Sequence, residues 1–222
     1  AYEIVSRDWS SDVCSSDLDG SPHCPRGIEK VKDTYDVAII GYGPVGQAFA
    51  ALLGQMGHRV AAFERYPALY GNSRAGHFDG ETMRLFQLLG IAPELEVLTR
   101  TISYFELVSA SGELLHRGRF GEPGNGWKAS YLMHQPQLEE VLDRTARSRP
   151  GVEVYMGWEA TDVESLHPGV SVTVRAREGG EVRKVRAKYV IGSDGARSFV
   201  RERLGIARDD LGFEPYEFLV LD

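Results

Sequence analysis

Cysteine is almost missing from this sequence. There are two in 222 residues, Cys14 and Cys24, both within the first thirty. That excludes a disulfide framework and a thiolate metal site. Histidine is sparse as well: six are scattered along the chain, with no HxH or HxxxH pair to grip an ion from one element, so no metal is expected. Positive charge is in deficit, with a net charge of −7. A nucleic-acid groove needs clustered Lys and Arg to displace counterions, so no such partner is expected. No apolar run approaches the ~20 residues that span a bilayer, so no membrane span is expected either. What remains is an ordinary globular composition, 42% hydrophobic and 26% charged, long enough for one large domain or one plus part of another.

The first thirty residues are a different kind of sequence. They hold both cysteines, show no helical or strand periodicity, and carry three basic against six acidic side chains. No apolar core marks them as a signal peptide. Within them, "DWSSDVCSSDL" (Asp8 to Leu18) resembles the translation of a common short-read sequencing adapter. Residues 1–30 are therefore read as a non-native or disordered leader, and the folded domain is expected to start at about Val31.

From there the pattern is regular. The apolar run Asp36 to Ile40 predicts a buried parallel strand, Val45 to Met56 a helix closed by Gly57, and "HRVAAFER" a second strand ending in Glu64. "GETMRLFQLLG" reads as a short amphipathic helix, with Met83, Leu85, Phe86, Leu88 and Leu89 apolar. "ISYFELVSASGELLHRGRF" alternates about Ser111-Gly112 as a β-hairpin does. Pro136 opens another helix, with Leu138, Val141 and Leu142 inward and acidic residues in its first turn. "VEVYMGWEATDVES", "VSVTVRARE" and "EVRKVRAKYVIG" read as successive antiparallel strands. The expected fold is α/β: a three-layer Rossmann-like domain over about 31–213, with an inserted hairpin and meander. That insertion argues for a flavoprotein architecture rather than a nicotinamide dehydrogenase half. Residues 214–222 are read as the first strand of a second domain.

The chemistry is carried by "GYGPVG" after the first strand. Gly41 permits the tight turn, Gly43 lets backbone approach a pyrophosphate, and Gly46 lets helix and strand pack closely; Pro44 and Val45 start the helix. The helix N-terminus then offers free N–H groups and a partial positive charge to phosphate. Taken alone the pattern is weak. Here a strand precedes it, a helix follows it, and Glu64, with Arg65 beside it, ends the next strand. A carboxylate there accepts from both ribose hydroxyls and repels a 2′-phosphate. The dinucleotide held in this turn is FAD or NAD, not NADP.

A second stretch, "YVIGSDGARSFVR", delivers Asp194-Gly195 to a turn, with Ser198 as helix N-cap and Arg201 in the first turn of that helix. With it, the chain from about Tyr35 onward resembles the FAD-dependent aromatic hydroxylases, the single-component flavoprotein monooxygenases, and most of all the 3-(3-hydroxyphenyl)propionate hydroxylases. Asp194, Gly195 and Arg201 match that family's second fingerprint, a segment that serves both FAD and the transient nicotinamide. "SRAGHFDGETMR" resembles the segment whose Arg, here Arg74, lies beside the flavin; "HQPQLEEVL" resembles the helix start that places Gln135 against ribityl chain and ring. His77 and His134 flank these positions and are read as ordinary packed or surface residues.

The resemblance implies an enzyme in which NADPH or NADH reduces bound FAD. The flavin captures O2 as a C4a-hydroperoxide and hydroxylates a small phenolic substrate, in the cytoplasm. It also implies a third fingerprint, a Gly-Asp turn, that these residues do not contain, so the chain reads as an N-terminal fragment, inactive alone. A same-fold halogenase or prenyl-lipid reductase, and a non-catalytic nucleotide-binding piece, are the alternatives. No catalytic side chain is assigned.

Overall fold

A strand that is apolar on both faces needs cover on both, and Thr34–Ile40 (β1) obtains it at the middle of a six-stranded sheet. The structure is a computed structural model, and it describes residues 34–121, 124, 126–209 and 212. After β1 come α1 (Pro44–Gln55), β2 (Val60–Glu64), β3 (His77–Asp79), α2 (Gly80–Leu89), α3 (Ala92–Leu98) and β4 (Arg100–Thr101). They are followed by β5 (Tyr104–Val108), β6 (Leu114–Arg119), β7 (Ser130–Leu132), α4 (Gln135–Arg147) and β8 (Val152–Met156). The last elements are β9 (Trp158–Ser165), β10 (Val170–Ala176), β11 (Val182–Gly192) and α5 (Phe199–Arg203).

The large sheet has the order β8-β2-β1-β11-β10-β9. Its β8, β2, β1 and β11 pair in parallel, whereas β10 is antiparallel to β11 and to β9. One face is covered by helices. Met83, Phe86 and Leu89 of α2, Leu95 of α3, Leu138, Val141 and Leu142 of α4, and Ala50 and Ala51 of α1 form a core with Val37, Ile39 and Val60. Each such Leu or Phe contributes roughly 1.5–3 kcal/mol by leaving water. The other face packs Tyr35, Ala38, Ala61 and Phe63 against Val163, Val172 and Val174 of the meander and Val200 of α5. The third layer is thus strands and one short helix. This is the α/β, Rossmann-like arrangement expected.

Several local readings need correction. "VEVYMGWEATDVES" is not one antiparallel strand. Gly157 adopts a φ of 77° and breaks it into β8, parallel to β2, and β9, antiparallel to β10. A period-2 pattern cannot report which neighbour a strand takes. The first turn of α4 holds no acidic residue, because the helix begins at Gln135 and puts Glu139 and Glu140 one turn later. Leu88 of α2 is exposed and Leu85 half-buried, so the apolar stripe is narrower than it read. Helix α3 and the small sheet β3-β7-β4 were not anticipated; strands of two or three residues leave no periodicity to see. The leader at 1–30 and the strand proposed at 214–222 lie outside the described residues.

Candidate active site

The C-terminal ends of β1, β2 and β11 open into one cavity of about 250 Å3. It is lined by Gly41, Gly43, Pro44 and Val45 from the first turn, and by Glu64 and Arg65 from the end of β2. Arg74, Gln135, Asp194 and Gly195 complete the wall. Segments far apart in the chain meet there because parallel strands all end on the same edge of the sheet, where open α/β sheets bind ligands.

The turn is built as its glycines require. Gly41 sits at φ 93°, and a Cβ there would lie 2.5 Å from the Ser193 carbonyl oxygen. A Cβ on Gly46 would come within 2.1 Å of the Gly41 oxygen, so the helix closes directly on the strand end. Above Gly43 a Cβ would meet nothing within 4 Å, which leaves backbone open to a ligand. No side chain caps α1, and Pro44 supplies no N–H, so the first-turn donors of Val45 and Gly46 have no helical partner. Ser193 clasps the turn from β11: its Oγ donates to the carbonyls of Gly41 (2.7 Å) and Ile40 (3.1 Å).

Glu64 holds the turn from the other side. Its Oε2 accepts from the Tyr42 N–H at 2.9 Å and its Oε1 from the Tyr66 N–H at 3.1 Å. A carboxylate has about four acceptor positions, so lone pairs remain for two hydroxyls. Arg65 lies over the Tyr66 ring at 5.1 Å, and Arg74 over the Tyr70 ring at 3.8 Å. Gln135 is 4% exposed and its Oε1 accepts from the N–H groups of Arg74 and Ala75. Its amide is largely spent on protein, and its second Nε2 hydrogen is what remains for a ligand.

The Asp-Gly turn is organised by its own carboxylate. Asp194 accepts from the Ser198 hydroxyl at 2.5 Å and the Val200 N–H at 3.1 Å, and Ser198 in turn caps α5 through the Arg201 N–H at 3.0 Å. Arg201 does not line the cavity; its Nη1 donates to the Ala196 carbonyl at 3.1 Å, bracing the turn. A cation in the first turn of a helix is disfavoured by the dipole; this one leans back onto that carbonyl and lies 3.7 Å from Glu202 Oε1. Arg197 lines the cavity instead. The sequence reading passed over it, since one exposed Arg in a turn carries no spacing signal.

Two buried groups also escaped the reading. Glu139 lines the cavity at 4% exposure, and Gln47 of α1 is fully buried beneath it. Burial pushes the Glu139 carboxyl above the usual carboxylate range, while hydrogen bonds from Gln135 and Gln47 and the charge of Arg74 pull it back. An acid at the fifth residue of an amphipathic helix looks solvated in sequence; only packing reveals that it is inside. His77 lies against Phe120 and His134 is exposed, as ordinary residues would be. Among the described residues no cluster of His, Cys, Asp or Glu could hold a metal, and no helix is long and apolar enough to cross a membrane.

This geometry fits a flavin dinucleotide: an open glycine backbone, unpaired helix N–H groups, a carboxylate with spare acceptors and two cationic walls. Comparison with known proteins agrees. The chain is 44% identical over 180 residues to the "Probable NADH-specific resorcinol 4-hydroxylase" of Rhodococcus jostii (strain RHA1), covering 80% of this chain and 34% of that protein. It is 34% identical to the 3-(3-hydroxy-phenyl)propionate/3-hydroxycinnamic acid hydroxylase of Paraburkholderia xenovorans (strain LB400), covering 84% of this chain and 30% of that one. The flavin-dependent monooxygenase PieE, solved with FAD and substrate, superposes with a TM-score of 0.72 at 26% identity over 80% of this chain and 33% of its own. The chain therefore spans about a third of the length of these relatives. The FAD binding domain family model matches residues 34–221, and the chain belongs to that family.

Proposed function

We propose that this chain is the cofactor-holding part of a flavoprotein monooxygenase that uses NADH to hydroxylate a small phenol. The observation that carries the reading is the meeting of the glycine turn, Glu64, Arg74 and the Asp194-Gly195 turn around one cavity. The name of the Rhodococcus relative supports a resorcinol-like ring and NADH over NADPH. O2 is the co-substrate, and the cytoplasm, where NADH is supplied, is the site of action.

In this reading the protein binds, orients and shields. Val45 and Gly46 offer backbone N–H groups to the pyrophosphate, with the N-terminal end of α1 behind them. Glu64 accepts from the adenosine ribose hydroxyls. Arg74 and Arg65 offset phosphate charge from the β2 side, and Gln135 fixes the wall carrying Arg74. Asp194 and Gly195 present the turn that closes the cavity opposite. Bound FAD supplies electron transfer from NADH and oxygen activation; the chain supplies position and electrostatics.

The test is made on the longer protein that the proposal implies. Resorcinol should stimulate NADH oxidation, with one O2 consumed and one hydroxylated product formed per NADH. Flavin reduction that ignores every phenol offered would sink the reading.

A further inference from the structure

Gln135 has a single amide, and its orientation is forced. Its Oε1 accepts from the backbone N–H of Arg74 at 2.7 Å and of Ala75 at 2.9 Å. Turning the amide over would aim its NH2 at two donors, which cannot bond it. Nε2 must therefore face the opposite way, and there it donates to Glu139 Oε1 at 2.6 Å. Glu139 is itself 4% exposed.

The other oxygen of Glu139 lies 3.5 Å from Gln47 Nε2, which also donates to the Tyr42 carbonyl at 3.1 Å. A buried polar path thus runs from the glycine turn (Tyr42) through Gln47, Glu139 and Gln135 to Arg74 and Ala75. The segment it reaches, residues 65–76, contains neither helix nor strand. Its other ties lie mainly at its ends, where the Tyr66 carbonyl accepts from the Gly157 N–H at 2.8 Å and the Gly76 carbonyl from the Met133 N–H at 2.9 Å, with Leu69 packed on the helical core between them. Yet it carries Arg65, Tyr66, Tyr70 and Arg74 onto the cavity wall.

We propose that Glu139 is a positioning residue: by fixing the amide of Gln135, it anchors the 65–76 segment and so holds Arg74 on the wall of the cavity. The use of that wall for FAD rests on the proposed function. The anchoring itself does not.

The path predicts what each substitution does. Glu139→Leu leaves the Gln135 NH2 buried without an acceptor, and the amide gains by swinging away from the segment. Glu139→Gln keeps a carbonyl oxygen in the acceptor position and preserves the anchor. Trypsin reads the difference directly, because Arg74 and Ala75 flank a cleavable bond. Cleavage after Arg177, in the β10–β11 turn, serves as the internal reference.

In this chain without cofactor, Glu139→Leu should speed cleavage after Arg74 about tenfold or more relative to Arg177, through more frequent local opening. Glu139→Gln should stay within about twofold of the parent. A second measurement needs no variant: in the parent, the Arg74 and Ala75 amides, both bonded to Gln135 Oε1, should exchange with deuterium far more slowly than the amides of residues 68–73. Unprotected exchange at Ala75 overturns the proposal. So does a Leu variant in which cleavage after Arg74 and Arg177 rises together, since that marks Glu139 as general core filling. Because both readouts omit the cofactor, a parent inactive on every phenol would remove the proposed function and leave this inference standing.

Discussion

At Gly46 one hydrogen atom decides whether the first turn can form. The missing Cβ would sit 2.1 Å from the Gly41 oxygen, and backbone cannot step aside. Gly46→Ala is expected to lower stability by about 1–3 kcal/mol, the usual cost of overpacking, seen as a lower urea midpoint. Glu64→Arg should weaken FAD binding in the longer protein by about 2–4 kcal/mol. It would replace charge-assisted acceptors by a cation and also release the Tyr42 N–H; an unchanged affinity in a flavin titration would make Glu64 only a brace for the turn. Glu139 gives a pH signature. Its folded carboxyl holds its proton more tightly than the ordinary value of 4.5, through burial first, with Glu64 adding and Gln135, Arg74 and Gln47 opposing. A group raised on folding favours the folded state below its unfolded value and loses that contribution as pH climbs through the folded one. The stability difference between Glu139→Gln and the parent should therefore widen in favour of the variant as pH rises above about 4.5, measured by urea midpoints.

At the scale of elements, caps and braces set what each segment can do. Helix α2 starts at Asp79, whose Oδ1 accepts from both the N–H and the hydroxyl of Thr82 at 2.8 Å. These bonds hold the Asp79 carboxyl below its usual range. Asp79→Ala should cost about 1 kcal/mol, visible as a lower melting temperature at neutral pH. The Asp194–Ser198 cap and the Arg201–Ala196 brace make α5 and the Asp-Gly turn one unit. Sequence spacing placed Asp194, Gly195, Ser198 and Arg201 in that turn. The Arg201 guanidinium reaches the Ala196 carbonyl, because a five-residue helix leaves it within range of its own entry loop, and it lies 3.7 Å from the Glu202 carboxylate as well.

At the scale of the whole molecule, the two cores on either face of the sheet rest on different evidence in the sequence. The helical core was legible: Met83, Phe86 and Leu89, then Leu138, Val141 and Leu142, recur at helical spacing and are buried. The sheet-face core was only half legible, since β8 and β9 look alike until their neighbours are known. With neither periodicity nor an apolar core, residues 1–30 are expected to contribute nothing to this fold. Deleting residues 1–30 is expected to leave the melting temperature unchanged, and a clear fall would show that the leader packs. The site was legible where glycine, acid and spacing coincide, at Gly41, Gly43, Gly46, Glu64, Asp194 and Gly195. It was illegible at Gln47, Glu139, Ser193 and Arg197.

The sequence alone determined the strand, turn and helix around "GYGPVG", the acid at Glu64 and the Asp-Gly turn. Each rests on short-range sterics and hydrogen bonding, which neighbouring residues impose whatever the rest of the chain does. Only the tertiary structure decided that β8 runs beside β2, that Arg197 rather than Arg201 faces the cavity, and that Glu139 lies inside. Those depend on which surfaces meet across some ninety residues of chain or more, and burial, unlike periodicity, is a property of both partners at once.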